Sequence, residues 1–125
     1  KALYIKSGKF PLFHNNNKTM YSLHQAVADP NLQPEEVEAI TFDQLFADFS
    51  IDHVDFMKVD VEGSEVELFC STPFKTVAPK IDTIMTEVHQ WNARNPQQLI
   101  DGFKDAGFTN VQQVKSDASI LVATK

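Results

Sequence analysis

Lys58, Asp60 and Glu62 alternate through Lys58-Val59-Asp60-Val61-Glu62-Gly63, so in an extended chain three ionisable side chains share one face of an otherwise apolar run. Three charges on a buried strand cost free energy unless they are paired or used. One use is proton transfer. Asp60 would accept a proton from a substrate hydroxyl, or hydrogen-bond it, while Lys58 holds the local geometry and Gly63 lets the backbone turn. The alternative is structural: Lys58 pairs with Asp60 or Glu62 at a strand tip. A second group lies in Thr86-Glu87-Val88-His89-Gln90-Trp91, where a carboxylate and an imidazole sit two residues apart on one side of a strand. If the two strands are parallel neighbours, Asp60, Glu62, Glu87 and His89 converge on one cleft. Trp91 would then form an apolar wall for a flat or sugar-like ring.

Carboxylates with a histidine also match the hard ligand sets of magnesium, manganese or non-haem iron. The spacing lacks a helix-borne paired-ligand motif, and no metal is assigned. Ser64 has neither the flanking glycines of a nucleophile elbow nor a histidine nearby in sequence, and Glu67 three residues later makes a capping box the simpler explanation. His14, His24 and His53 have no acidic company of the same kind and read as surface residues.

The elements that must position these residues follow from periodicity. Val54 to Val61 and Ile81 to Val88 are apolar runs dense enough for strands buried between layers. Thr41 caps a helix with Phe42, Leu45, Phe46 and Phe49 at helical spacing, and a second helix begins after Ser64 with Val66 and Phe69. Asn95-Pro96 opens a third helix carrying Leu99, Ile100 and Phe103, which Gly107 ends. Phe108 to Val114 and Ser119 to Thr124 form an antiparallel hairpin. Two strand–helix units imply a parallel sheet. Before residue 40, Ala2 to Ile5 and Phe10 to Phe13 read as a hairpin around Ser7-Gly8, with Pro11 on an edge. Met20 to Val27 has the pattern of two helical turns. Residues 28 to 38, broken by prolines and rich in Glu, read as a surface connection. The whole is one domain: an edge hairpin and connecting segment over 1–39, and a strand–helix–strand–helix–hairpin core over 40–125.

The chain has 125 residues, 42% of them hydrophobic with ten Phe, enough for one continuous core. Eleven Lys and Arg against 17 Asp and Glu give a net charge of −6, which disfavours nucleic acid and anionic lipid as partners. The single Cys70 forms no intrachain disulfide and reads as a small buried hydrophobe. No membrane-spanning run or signal peptide is present, so a cytoplasmic location is expected. The start at Lys1, close to a strand-like run, suggests that the numbering begins inside a longer polypeptide.

From Ile40 the chain resembles the FkbM methyltransferase family. The resemblance lies in Ile40-Thr41-Phe42-Asp43 entering a helix, Asp55-Phe56-Met57-Lys58-Val59-Asp60-Val61-Glu62-Gly63-Ser64-Glu65, and a following strand that ends in Glu87 and His89. It implies the C-terminal half of a Rossmann-like class I methyltransferase fold, with the Val54 strand fourth of seven, the Ile81 strand fifth and the last hairpin sixth and seventh. It also implies methyl transfer from S-adenosylmethionine to a hydroxyl oxygen of a sugar, polyketide or related small molecule. Asp60 and His89 are then candidates for the proton, Glu87 orients one of them, and Lys58, Glu62 and Trp91 line the acceptor. The family's glycine-rich cofactor loop and its ribose-binding acidic residue have no counterpart, because Gly8, Gly63, Gly102 and Gly107 are isolated. Cofactor-binding residues are therefore unassigned, and the expectation is self-association or an N-terminal half that completes the sheet. The competing reading is a non-catalytic α/β binding or assembly module.

Overall fold

The computed structural model describes residues 1–15, 21–23, 29–89 and 96–125. It contains two four-stranded sheets. In chain order the elements are β1 (Ala2–Leu3), β2 (Gly8–His14), β3 (Tyr21–Ser22), β4 (Glu35–Ile40), α1 (Phe42–Asp48), β5 (Val54–Val59), α2 (Glu65–Phe69), α3 (Thr72–Val77), a 3-10 turn (Ala78–Lys80), β6 (Ile81–Glu87), α4 (Pro96–Asp105), β7 (Asn110–Val114) and β8 (Asp117–Thr124).

The larger core belongs to the sheet of order β5-β6-β8-β7. β5 and β6 are parallel, with Val54 opposite Ile81 and Val59 opposite Thr86, as the two strand–helix units predict. β8 runs antiparallel to both β6 and β7, so the terminal hairpin is also as expected. The chain between β5 and β6 folds into α2 and α3, which cover one face of the sheet together with α1 and α4. Phe42, Phe69, Phe74, Phe103 and Phe108 are buried there in mutual contact, with Phe69 and Phe103 4.6 Å apart and Phe69 and Phe74 4.9 Å apart. Helix α4 stops as the sequence requires. Gly107 takes φ 95°, its N–H reaches Lys104 O at 3.0 Å, the Phe108 N–H reaches Phe103 O at 3.1 Å, and the rings of Phe103 and Phe108 close over the bond pair. The end of α1 has the same geometry without a glycine, since Ser50 sits at φ 52°. Near its middle, α4 approaches α2 so closely that a Cβ on Gly102 would lie 2.7 Å from Cys70 Sγ.

Several expectations fail. β5 is not sandwiched between layers: Val59 is buried, but Asp55, Phe56 and Lys58 are exposed, Phe56 by 55%. β5 is an edge strand, and the helices cover only the face that carries Val59. Phe49 is likewise exposed, at the end of α1. Thr41 holds the N-cap position of α1, but its hydroxyl bonds the Asp43 carboxylate instead of a helix N–H. Cys70 is exposed and not part of the core; its Sγ faces Gln98 O at 3.7 Å, and partial burial pushes the thiol above its ordinary range.

The first 40 residues differ most. β1 and β2 do not pair with each other; β4 lies between them, parallel to β1 and antiparallel to β2. The segment read as a surface connection therefore supplies most of an inner strand of the second sheet. Its glutamates are tolerated because they face solvent, where Glu36 meets Lys9 at 2.7 Å and Glu38 meets Lys1 at 3.0 Å. Tyr21 and Ser22 are strand, not helix, and pair with His14 and Phe13; residues 20 and 24–27 of the expected helical turns lie outside the described residues. His14 is buried, 6% exposed, between Tyr21 and Glu35, which corrects its reading as a surface residue. Leu3 and Ile5 pack on the main core and join the two sheets.

Candidate active site

The carboxyl ends of β5 and β6 are neighbours because the two strands are parallel and in register. Beyond Val59 the chain leaves the sheet and turns sharply: Glu62 at φ 49° and Gly63 at φ 103° are consecutive left-handed residues. The first of these is a non-glycine conformation that costs about 1–3 kcal/mol and persists only where surrounding contacts impose it. Two such contacts exist. Ser22 Oγ on β3 donates to Glu62 O at 2.6 Å, and the Gly63 N–H donates to Glu65 Oε1 at 3.1 Å. The turn folds the start of α2 back, so Glu65 is buried at 2% exposure beneath the strand end.

His89 lies at the centre of what this turn assembles. Its Nδ1 is 2.7 Å from Glu65 Oε1. The carboxylate accepts, so Nδ1 carries the proton, and Nε2 points at the remaining acids: Glu62 at 3.3 Å, Asp60 at 3.9 Å and Glu87 at 3.9 Å. The side chain of His89 is 10% exposed. Burial, the largest single influence, works to lower its pKa, but the hydrogen bond and charge of Glu65, with the charges of Glu62 and Glu87, outweigh it and leave the imidazole above its ordinary 6.5. Burial pushes Glu62 above the usual carboxylate value; His89 opposes this, and Asp60, Glu87 and Glu65 add to it. Four acids around one buried imidazole, with His89 and Glu62 holding their protons more tightly than usual, form an arrangement able to accept and store a proton.

Of the residues singled out from sequence, Asp60, Glu62, Glu87 and His89 are brought together. Lys58 stands aside: it is exposed, and its ion pair with Asp60, at 4.0 Å, is too long and too wet to contribute much. Trp91 and His24 lie outside the described residues. His53 does have acidic company, Asp82 at 3.2 Å and Asp55 at 3.5 Å, at the other, exposed end of the sheet. Sequence reasoning missed Glu65, whose role depends on the left-handed turn before it. It also misread Ser64. The hydroxyl makes no capping bond; the residue is buried, 1% exposed, and its hydroxyl has no hydrogen-bond partner among the described residues. Asp60 and Ser64 both face a cavity of about 250 Å³ that separates the end of β5 from the second sheet.

One ligand atom each from Asp60, Glu62 and His89 falls within 4.8 Å of the others, as does one each from His53, Asp55 and Asp82. These are the groups of described residues with metal-ligand spacing. No described helix is long and apolar enough to cross a membrane.

Residues 2–109 match the family model described as the methyltransferase FkbM domain. No curated protein and no solved structure matches the chain.

Proposed function

The chain belongs to the FkbM methyltransferase family, and from that premise we propose that it serves transfer of a methyl group from S-adenosylmethionine to a hydroxyl oxygen of a small molecule or sugar. The observation that carries this reading is the convergence of Asp60, Glu62 and Glu87 on Nε2 of His89 at the ends of two parallel strands, where open α/β sheets bind their ligands. The order β5-β6-β8-β7, two parallel strands closed by an antiparallel hairpin, supports assigning it to the second half of a Rossmann-like methyltransferase sheet.

The described residues fit the reacting end of such a donor and not its body. Carboxylates favour a cationic centre, but the cavity at Asp60 is about 250 Å³, below the roughly 300–1,000 Å³ of pockets for drug-sized ligands, and no glycine-rich turn is present. The adenosine-binding part is assigned to sequence outside these 125 residues or to another chain. When bound, the donor brings a methyl group on a sulfonium that is already a good leaving group. What remains for this chain is to hold the acceptor hydroxyl and take its proton. Asp60, the most exposed of the acids near His89 apart from Glu87, meets the hydroxyl first. His89 receives or shares the proton, and Glu65 fixes its tautomer and ring orientation. Glu62 and Glu87 hold the imidazolium. Lys58 keeps at most a peripheral part in binding the acceptor, and Trp91 stays assigned to it as an apolar wall on the sequence alone. A reducing cytoplasm belongs to the same reading, given one unpaired cysteine. The uncovered side of β5, with Phe56 exposed, is where the reading puts a second copy or an N-terminal half.

The test is transfer of labelled methyl to hydroxylated acceptors by the protein that carries this chain. Asp60→Asn and His89→Gln should each lower turnover by about 10²–10⁴ without altering the circular dichroism spectrum. Wild-type turnover in Asp60→Asn would remove Asp60 from the role.

A further inference from the structure

The acids named around His89 lie on the β5-β6 side of the molecule, yet the second sheet reaches the turn that positions them. Ser22 on β3, 2% exposed, does so through one peptide unit. The carbonyl of Glu62 accepts from Ser22 Oγ at 2.6 Å, and the N–H at the other end of the same peptide, that of Gly63, donates to Glu65 Oε1 at 3.1 Å. That oxygen is also the one that accepts from His89 Nδ1, at 2.7 Å. Three hydrogen bonds thus run in sequence from Ser22 to the imidazole, and each bond in such a chain polarises the next. The peptide in the middle is the point where the chain can break. Gly63, at φ 103°, takes either sign of φ at little cost, so the Glu62–Gly63 peptide is free on local grounds to turn over. Turned over, it would aim a carbonyl oxygen at the Glu65 carboxylate in place of an N–H donor.

We infer that Ser22 is a positioning residue for the site: its hydroxyl locks the orientation of the Glu62–Gly63 peptide and, through that peptide, the places of Glu65 and of the His89 ring. The inference rests on the methyl-transfer reading for the use of this geometry. The hold comes from outside the turn, because β3 is itself fixed to β2, with Ser22 opposite Phe13 and Tyr21 opposite His14. A group that handles a proton gains from such support, since a site held in place beforehand has less to reorganise during the reaction. The second sheet is then a brace for the imidazole as well as a cover for the end of β5.

The experiment compares Ser22→Ala, Ser22→Thr and Phe10→Leu in the protein that carries this chain. Phe10→Leu loosens the same sheet at the ring contact with Tyr4, 5.0 Å between centroids, and leaves the hydroxyl in place. Two NMR signals report the chain of bonds without donor or acceptor: the Gly63 amide proton, moved downfield by its bond to a carboxylate, and the Nδ1 proton of His89. In Ser22→Ala the Gly63 amide should move upfield, and exchange of both protons with water should quicken about threefold to tenfold, the loss of one hydrogen bond. Ser22→Thr keeps the donor and Phe10→Leu keeps the serine, so both should retain the two signals. Turnover should follow them: kcat falls about threefold to tenfold in Ser22→Ala with KM for acceptor unchanged, and the threonine restores it. Unchanged signals in Ser22→Ala overturn the inference, and so does the same loss in Ser22→Thr or Phe10→Leu. If Ser22→Ala does not fold, the Ser22 hydroxyl proton of the wild type decides: slow exchange with water supports the bond, and rapid exchange overturns it. Signals lost with kcat unchanged sink the positioning role and leave the reaction, whereas absence of methyl transfer by the wild type sinks the reaction and leaves the brace to stand or fall on the two signals.

Discussion

Replacing Glu65 by Gln retains shape and an acceptor oxygen while removing a buried charge 2.7 Å from His89 Nδ1. Below the unfolded value of 6.5, His89 is protonated in both folded and unfolded states, and the lost bond is charge-assisted. Such bonds contribute about 1.5–3 kcal/mol against about 0.5–1.5 kcal/mol for a neutral one, so Glu65→Gln should cost about 1–2 kcal/mol under acid conditions. The sign at higher pH follows from linkage. The folded pKa of His89 is raised, so its contribution to stability is present in full below 6.5 and is lost as pH rises through the folded value. Above that point the imidazole is neutral and the carboxylate of Glu65, 2% exposed, has lost its counter-charge; the glutamine then costs nothing or stabilises. Urea unfolding of both proteins across a pH series spanning 6.5 should show stability curves that converge or cross. The His89 imidazole, followed by NMR, should titrate lower in the variant. A cost that stays constant with pH, or an unchanged titration, would refute the claim that Glu65 acts through the charge of His89.

Glu62→Gln should stabilise the fold at neutral pH by on the order of 1 kcal/mol or less while lowering methyl transfer, because burial makes the Glu62 carboxylate unfavourable; the gain should vanish as pH falls below 4.5, where both states are protonated. Ser50→Gly should stabilise the fold by about 1 kcal/mol, read as a raised midpoint in urea, since it relieves a left-handed serine at the end of α1. Gly102→Ala should destabilise by about 1 kcal/mol through the 2.7 Å contact with Cys70 Sγ, and the same change in a Cys70→Ala background should instead stabilise by about 0.5–1 kcal/mol through helix propensity; thermal melts of the four proteins check both signs.

The parts of this molecule legible in sequence are those fixed by local pattern. β5 and β6 are apolar runs, and the rule that ligands lie beyond parallel strand ends selects Asp60, Glu62, Glu87 and His89 without further information. Gly107 and the Phe103–Phe108 pair announce the end of α4. The parts that were not legible depend on distant partners. β4 reads as a solvated connection because Glu35, Glu36 and Glu38 look like loop residues until His14, Lys9 and Lys1 of the neighbouring chain segments are laid beside them. Glu65 looks like any first-turn acid until a left-handed Glu62 turns it under His89. Ser64 fits the capping-box pattern, yet its hydroxyl is buried and makes no capping bond. The exposure of Phe56 is invisible to hydropathy, which cannot report how many helical layers cover a strand.

The packed phenylalanines give this protein its own spectroscopic reporter. Five buried rings, with centroids 4.6 to 6.3 Å from their neighbours, surround a region that also contains the fully buried Leu68 and Leu99. Ring currents of that density shift nearby methyl protons far upfield, into a window of the proton spectrum that no unfolded chain occupies. The intensity of those lines would follow the integrity of the helical layer in unlabelled protein, through every variant and pH, without touching the site at the strand ends.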